Sequence, residues 1–329
     1  MQVLKESYLI KEFAKRNYHY ADNGEPDEVV NLIDCWDQIL YVVLVNRGID
    51  IVDFFCGDIS PEFYGDGERF GLRRIEEDVN QYFKLDKVMA DGSEDCIDEI
   101  ERNIRKDLPI AMTTMFDMLP NYDWYEEGII GSHNGHSNMI VGYDRDNVYV
   151  IDSPLVFVEG RDKRLGTNKS IHLIGKKYVR DALKAYCDLM TVQYAGNFVD
   201  KGLPAKLKNI EYNYWNRPAT GRKAFEEYID SVEKAKGREI HIDLYEMHLL
   251  YGRHELLRLY IKKHLSENDG LRKIEHPIEK CCEEWFALKM LVQRKGLLEK
   301  REFAERIGKQ VENVMAYEDK LFDAIHCLV

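Results

Sequence analysis

The sequence predicts an α+β fold, with strands mixed among helices in the first two thirds of the chain and helices in the last third. Short apolar runs bounded by turn residues, such as 109–116, 136–143 and 148–151, are typical of strands. Beyond residue 220, long charged segments have apolar residues at helical spacing. A chain of 329 residues is long enough for two domains.

A cluster of Trp, Asn, Pro and Gly over residues 214–220 separates these two compositions. We therefore predict a mixed domain over residues 1–215 and an all-helical domain over residues 216–329. The helices predicted in the second domain cover residues 224–236, 244–264, 277–292 and 300–324.

In the first domain, a helix is predicted to begin after Asp34, a residue type that caps helix N-termini, and to end at Gly48. Its apolar residues recur at helical spacing, at Ile39, Leu40, Val43 and Leu44. Further helices are predicted over 75–85 and 95–104, and a loop over 53–69. The segment Asp144-Arg-Asp-Asn147 has the residues of a tight turn and predicts a hairpin between the strands on either side.

Composition excludes several classes of protein. The net charge of −13 speaks against general nucleic-acid binding. No apolar run approaches the roughly eighteen residues of a membrane span, and the N-terminus lacks the features of a secretion signal, so we expect a cytoplasmic protein that does not enter a membrane. Seven cysteines, without a Cys-x-x-Cys pair, indicate neither a disulfide framework nor a structural zinc site.

The charge is unevenly distributed along the chain. Residues 161–223 contain fourteen Lys or Arg and five Asp or Glu, a formal charge of +9. Such a run is usually a solvated face, but it is also the kind of surface on which an acidic partner docks. The sequence leaves both interpretations open.

Cys35 is the candidate nucleophile. It directly follows Asp34, so it would lie at the start of the predicted helix, where the backbone N–H groups and the helix dipole favour a thiolate. The same N–H groups could stabilise an oxyanion. A lone cysteine in an apolar helix is more commonly a small core residue, and only its position favours the catalytic interpretation.

His136 and Asp152 are predicted near one end of two adjoining strands, where the carboxylate could orient the imidazole. A histidine entering a strand is also often a buried structural residue, and Asp152 could be a turn residue before Pro154. His133 and His136 together make only a weak metal motif. We predict no metal and no bound cofactor.

These segments resemble papain-like cysteine enzymes and, more narrowly, the butirosin biosynthesis protein H family. The resemblance covers most of the chain loosely. Each motif is short, and only their order gives the resemblance some specificity. The motifs are Asp34-Cys35-x-x-x-Ile-Leu with Gly48, Gly135-His136-x-x-x-Ile-Val-Gly142-Tyr-Asp, Val148-Tyr-Val-Ile-Asp152-Ser-Pro, Leu108 to Tyr122, Tyr251 to Leu265, and Cys282-Glu-Glu-Trp285.

The resemblance implies a papain-like domain, in which an N-terminal helix packs on an antiparallel sheet, and an acyltransferase activity. The family's type member moves an amino-acyl group from the phosphopantetheine thioester of a carrier protein to an aminoglycoside amine. Carried over, Cys35 is the nucleophile, His136 the general base and Asp152 the orienting residue. The partner would be an acyl or peptidyl carrier protein, docked through residues 161–223, and the acceptor a small molecule in natural-product biosynthesis.

Two features depart from the usual papain-like pattern. Trp36 follows the cysteine where a smaller residue is common, and the usual oxyanion donor is missing. A Gln some six residues before the cysteine usually donates to the oxyanion, and here that position is Val29. Asn31 is the nearest amide that could replace it. The other candidate neighbours of the nucleophile are Trp36 and His133, and the candidate pocket residues, for which core packing is the commoner explanation, are Tyr122, Trp124 and Tyr125.

Two other functions fit the same residues. A cysteine peptidase or amidohydrolase would use the same triad, with water in place of the acceptor amine. A non-catalytic scaffold of an assembly line would keep the fold without a reactive thiol. The sequence does not indicate the oligomeric state.

Overall fold

The fold is taken from a computed structural model, and the chain divides into two compact units. One unit comprises residues 1–50 and 76–198, and the other comprises 51–75 and 199–329. The residues described are 2–3, 32–57, 59–64, 69–71, 81–88, 94–115, 118–119, 135–151, 155–158, 161–164, 172–185, 188–199, 202–234, 241–242, 244–266 and 269–329.

The strands of the described part have the following bounds: β1 Gln2–Val3, β2 Glu62–Tyr64, β3 Arg69–Gly71, β4 Phe83–Lys87, β5 Ile110–Met115, β6 Gly135–Tyr143, β7 Asn147–Ile151, β8 Leu155–Val158, β9 Arg161–Arg164, β10 His172–Gly175, β11 Asp188–Tyr194 and β12 His241–Ile242. The α-helices are α1 Cys35–Asn46, α2 Ile51–Phe55, α3 Glu94–Arg105, α4 Lys176–Ala185, α5 Leu203–Asn216, α6 Arg222–Lys234, α7 Leu244–His264, α8 Arg272–Gln293 and α9 Lys300–His326. The predicted mixed α+β class is confirmed.

The first unit contains a seven-stranded antiparallel sheet. Six strands follow the order β10-β7-β6-β5-β11-β4, and β1 pairs with the end of β6. Helix α1 packs on β6 and β11, while α3 and α4 pack on each other and on the sheet. Strands β8 and β9 form a separate antiparallel pair.

Helix α1 is apolar around most of its circumference, which is typical of a helix with no solvent face. Its residues from Ile39 to Leu44 are all buried. The predicted end is confirmed: Gly48 has φ +69, and the N–H of Ile49 donates to the carbonyl of Leu44 over 3.1 Å. This bond satisfies a carbonyl that the helix leaves open, in a left-handed terminal turn that favours glycine.

The predicted hairpin between β6 and β7 is also confirmed. The Asp144 carboxylate accepts the backbone N–H groups of Asp146 and Asn147 over 2.9 and 2.8 Å, and the hydroxyl of Tyr149 over 2.9 Å. Hydrogen bonds from the two backbone N–H groups, the largest effect, lower the pKa of Asp144 to about 2. The carboxylate thus fixes the turn that joins the two strands.

Two local predictions in the first half of the chain were wrong. Phe83 to Leu85, predicted as the end of a helix, belong to β4, which pairs with β11. The predicted loop over 53–69 contains the end of α2 and all of β2. Pairing with distant strands supplies the hydrogen bonds that local sequence does not reveal.

The second unit is mainly helical. Its four predicted long helices are confirmed as α6 to α9, with ends shifted by a few residues. It also contains a small sheet in the order β12-β3-β2, with β12 parallel to β3, so the prediction of an all-helical C-terminal part is correct only for its long elements. The boundary was predicted near residue 215, whereas the chain passes from the first unit to the second between Phe198 and Val199.

Candidate functional site

Asp34 fixes the start of helix α1 and therefore the position of Cys35. Its Oδ1 accepts the backbone N–H of Asp37 over 2.5 Å, and its carbonyl accepts the N–H of Gln38 over 2.9 Å. This is the predicted N-terminal cap. It makes Cys35 and Trp36 the first two residues of the helix, in the turn where the dipole favours negative charge.

Cys35 differs from most other described cysteines in its exposure. It is partly exposed, and so is Trp36 beside it. Among the described cysteines, all of which are free, Cys327 is exposed and the remaining four are buried, namely Cys56, Cys96, Cys281 and Cys282. Cys35 is therefore not a fully buried core residue, which was the commoner explanation for a cysteine in an apolar helix.

His136 is the second residue of strand β6 and is only 3% exposed. Burial penalises the charged imidazolium and lowers the pKa of His136 to about 3, although the negative charge of Asp34 acts in the opposite direction. The imidazole is thus neutral near pH 7. In this neutral form a ring nitrogen can accept a proton, but the lowered pKa makes His136 a weaker base than an exposed histidine, since an efficient general base has a pKa near the working pH.

The structure brings the start of α1 and the start of β6 together. Helix α1 packs on β6, and the carboxylate next to Cys35 in the chain acts electrostatically on His136. The two predicted catalytic residues are therefore carried by adjoining elements of one unit. Sequence reasoning identified Asp34 only as a cap and missed its effect on the imidazole, because that effect depends on the packing of a helix against a distant strand.

Six of the other predicted site residues, including Asp152, lie outside the described part of the chain. Strand β7, which precedes Asp152 in the chain, ends at Ile151, whose partner in β6 is Met139. Residues that lie outside the described part of the chain are Asn31, Tyr122, Trp124, Tyr125, His133 and Asp152.

A second group of buried polar residues lies in the helical unit. His254 and Glu318 are both fully buried, and His254 Nε2 lies 2.5 Å from Glu318 Oε1. The same oxygen accepts the indole N–H of Trp285 over 2.7 Å, and His254 Nδ1 lies 2.7 Å from the carbonyl of Leu250. The group links α7, α8 and α9, so we assign it a structural role.

Within the described residues there is no group of three or more His, Cys, Asp or Glu side chains that could hold a metal ion. None of the helices in that part combines the length and apolar character that crossing a bilayer requires. No family model matches the chain, and comparisons with curated proteins and with solved structures found no match.

Proposed function

We propose that the protein is a papain-like cysteine acyltransferase that accepts an acyl or aminoacyl group from a phosphopantetheine thioester and passes it to an amine. The observation that supports this is a partly exposed cysteine at the N-terminus of α1, packed on the strand that carries a neutral, buried His136. The resemblance of the sequence motifs to the butirosin biosynthesis protein H family supports the choice of a thioester donor.

In the first step, the Cys35 sulfur attacks the thioester carbonyl while His136 takes the thiol proton. N–H groups of the first turn of α1 stabilise the oxyanion that forms. The bond between the carbonyl carbon and the pantetheine sulfur then breaks, and His136 returns the proton to that leaving thiolate. The product is an acyl thioester on Cys35, close in energy to the donor thioester.

In the second step, an amine attacks the acyl-Cys35 thioester and gives a proton to His136. The carbonyl–sulfur bond breaks, and the proton passes to the Cys35 sulfur, which restores the free thiol. Asp152 would orient the imidazole through both steps. Water in place of the amine would make the same site a hydrolase.

A carrier protein would deliver the donor group. Carrier proteins are generally acidic, and helix α4, inside the basic segment 161–223, offers Lys177, Arg180 and Lys184 on one side of the helix, at spacings of three and four residues. None of the three has an ion-pair partner within the described residues. Asp181 shares this surface, which keeps a net positive charge. We propose that α4 takes part in docking the carrier protein.

Mass spectrometry of the intact protein tests the function directly. We expect incubation with an acyl-pantetheine thioester to add one acyl group to Cys35 and a subsequent amine to remove it as an amide. The background is Cys327→Ser, because Cys327 is the other exposed thiol among the described cysteines. Cys35→Ala should abolish the adduct, and His136→Gln should slow its formation by about 100-fold or more, the usual contribution of a general base.

The controls separate the rival functions. Equal acylation of the Cys35→Ala variant would contradict the proposal, as would a rate that does not change in a folded His136→Gln variant. An adduct that forms and is lost only to water, whatever amine is supplied, would identify a hydrolase. Absence of any adduct on an intact fold would favour a non-catalytic scaffold.

A further inference from the structure

Asn138 is a buried amide whose hydrogen-bonding groups have no partner. It is 2% exposed, and neither its Oδ1 nor its Nδ2 atom makes a hydrogen bond within the described part of the chain. By contrast, the amide nitrogens of Asn103 and Asn147 donate to oxygens at 2.9 and 3.3 Å. Leaving both groups of an amide unpaired costs free energy, and an apolar side chain of the same shape would avoid that cost.

The position of Asn138 ties it to the candidate site. Strand β6 pairs with β5 without a break from Gly135 to Ile140, so His136 and Asn138 lie on the same face of the sheet. Helix α1 packs on β6, and the charge of Asp34 at its N-terminus acts on His136, so we place the start of α1 on this face. Two residues along a strand correspond to about 6.6 Å. The backbone positions of His136 and Asn138 are thus roughly that far apart along β6.

We infer that Asn138 is a polar subsite for the acyl group, so the preferred donor carries a hydrogen-bonding group on the order of five bonds from its thioester carbonyl. This inference rests on the proposed function. With the carbonyl beside Cys35 and His136, an extended acyl chain running along β6 covers the roughly 6.6 Å between strand positions 136 and 138 in about five bonds. A hydroxyl, amine or amide at that point satisfies the amide, whereas a plain alkyl chain leaves it unpaired.

Two thioesters of the same shape test the inference. In 5-hydroxypentanoyl-pantetheine the chain ends in a hydroxyl at the required distance, and in hexanoyl-pantetheine a methyl replaces it. Binding is measured by calorimetry on the Cys35→Ala variant, which cannot react, so the result does not depend on catalysis. We expect the hydroxyl ligand to bind at least about fivefold more tightly than the alkyl ligand, the worth of one hydrogen bond.

Substitution of Asn138 should remove this preference. In Asn138→Leu, or in Asn138→Val if the leucine variant does not fold, we expect the two ligands to bind equally or the alkyl ligand to bind more tightly. The matched control is Asn103→Leu on helix α3, which should leave the ratio of the two affinities unchanged. We also expect Asn138→Leu to raise the melting temperature of the ligand-free protein.

Three outcomes would overturn the subsite. They are equal binding of the two ligands, no binding of either, and a preference that persists in the folded Asn138 variants. Equal binding would indicate that the amide holds an internal water only. The proposed function fails separately, if Cys35 of the unsubstituted protein is not acylated by either thioester while the binding preference stands.

Discussion

His136 couples the stability of the protein to acid. Its pKa is about 3 in the folded chain and about 6.5 in an unfolded one, so between these values the unfolded chain binds a proton that the folded chain does not. The stability contributed by the neutral imidazole is therefore complete above pH 6.5 and is lost as the pH falls towards 3. The loss is about 1.4 kcal/mol per pH unit.

We expect the unsubstituted protein to lose about 2 kcal/mol more than the His136→Gln variant between pH 6.5 and pH 5. Urea unfolding of both proteins at a series of pH values measures the difference. The same substitution at exposed His276 serves as the control. Parallel pH profiles for the His136→Gln variant and the unsubstituted protein would show that the imidazole is not buried as described.

For single residues, the sequence predicted that Cys35 starts a helix but did not predict the environment of His136. The first depends on local chemistry, because a cap residue followed by an apolar period determines where a helix starts. The second depends on which helix covers which strand. The carboxylate of Asp34 and the imidazole of His136 meet only through tertiary packing, and the unpaired amide of Asn138 is visible only once the pairing partners of β6 are known.

Among the elements, helix α1 is the one on which the site depends, and Gly48 ends it. No atom lies within 4 Å of a Cβ added at Gly48, so the only obstacle to a side chain there is its positive φ. We expect Gly48→Ala to lower the free energy of unfolding by about 1 kcal/mol. Chemical denaturation measures this, with Gly57→Ala as the matched control.

Gly57 is equally open but has no positive φ, so alanine there should cost nothing or stabilise slightly. A loss of the same size at both positions would contradict the conformational explanation. Alanine should cost more at Gly221, which has φ +55 and where an added Cβ would clash with the backbone of Tyr214.

Elements were predictable where their own residues determine them. The long helices of the second unit and the β6–β7 hairpin follow from period and turn chemistry. Strand β4 could not be predicted in this way, because its burial does not alternate regularly. Its hydrogen bonds come from β11, which lies about a hundred residues further along the chain. The short strands β3 and β12 pair across a still longer separation in sequence.

For the molecule as a whole, the pair of His254 and Glu318 is a fully buried polar connection between two helices of the helical unit. We expect Glu318→Leu to cost about 3–5 kcal/mol, because it leaves a buried imidazole and the Trp285 N–H without their acceptor. The double variant with His254→Leu should cost less than the sum of the single changes. A cycle of urea denaturation measurements tests this, and strict additivity would contradict the coupling.

The segment 51–75 belongs to the second unit although it lies in sequence inside the first. Within it, β3 pairs with β12, β2 packs on α6, and α2 packs on α7. During synthesis on the ribosome these early elements must wait until residues 222–264 have emerged. A fragment that ends near residue 198 or 215 would therefore contain segment 51–75 without the helices on which it packs. Dividing the gene at a single point cannot separate the two units.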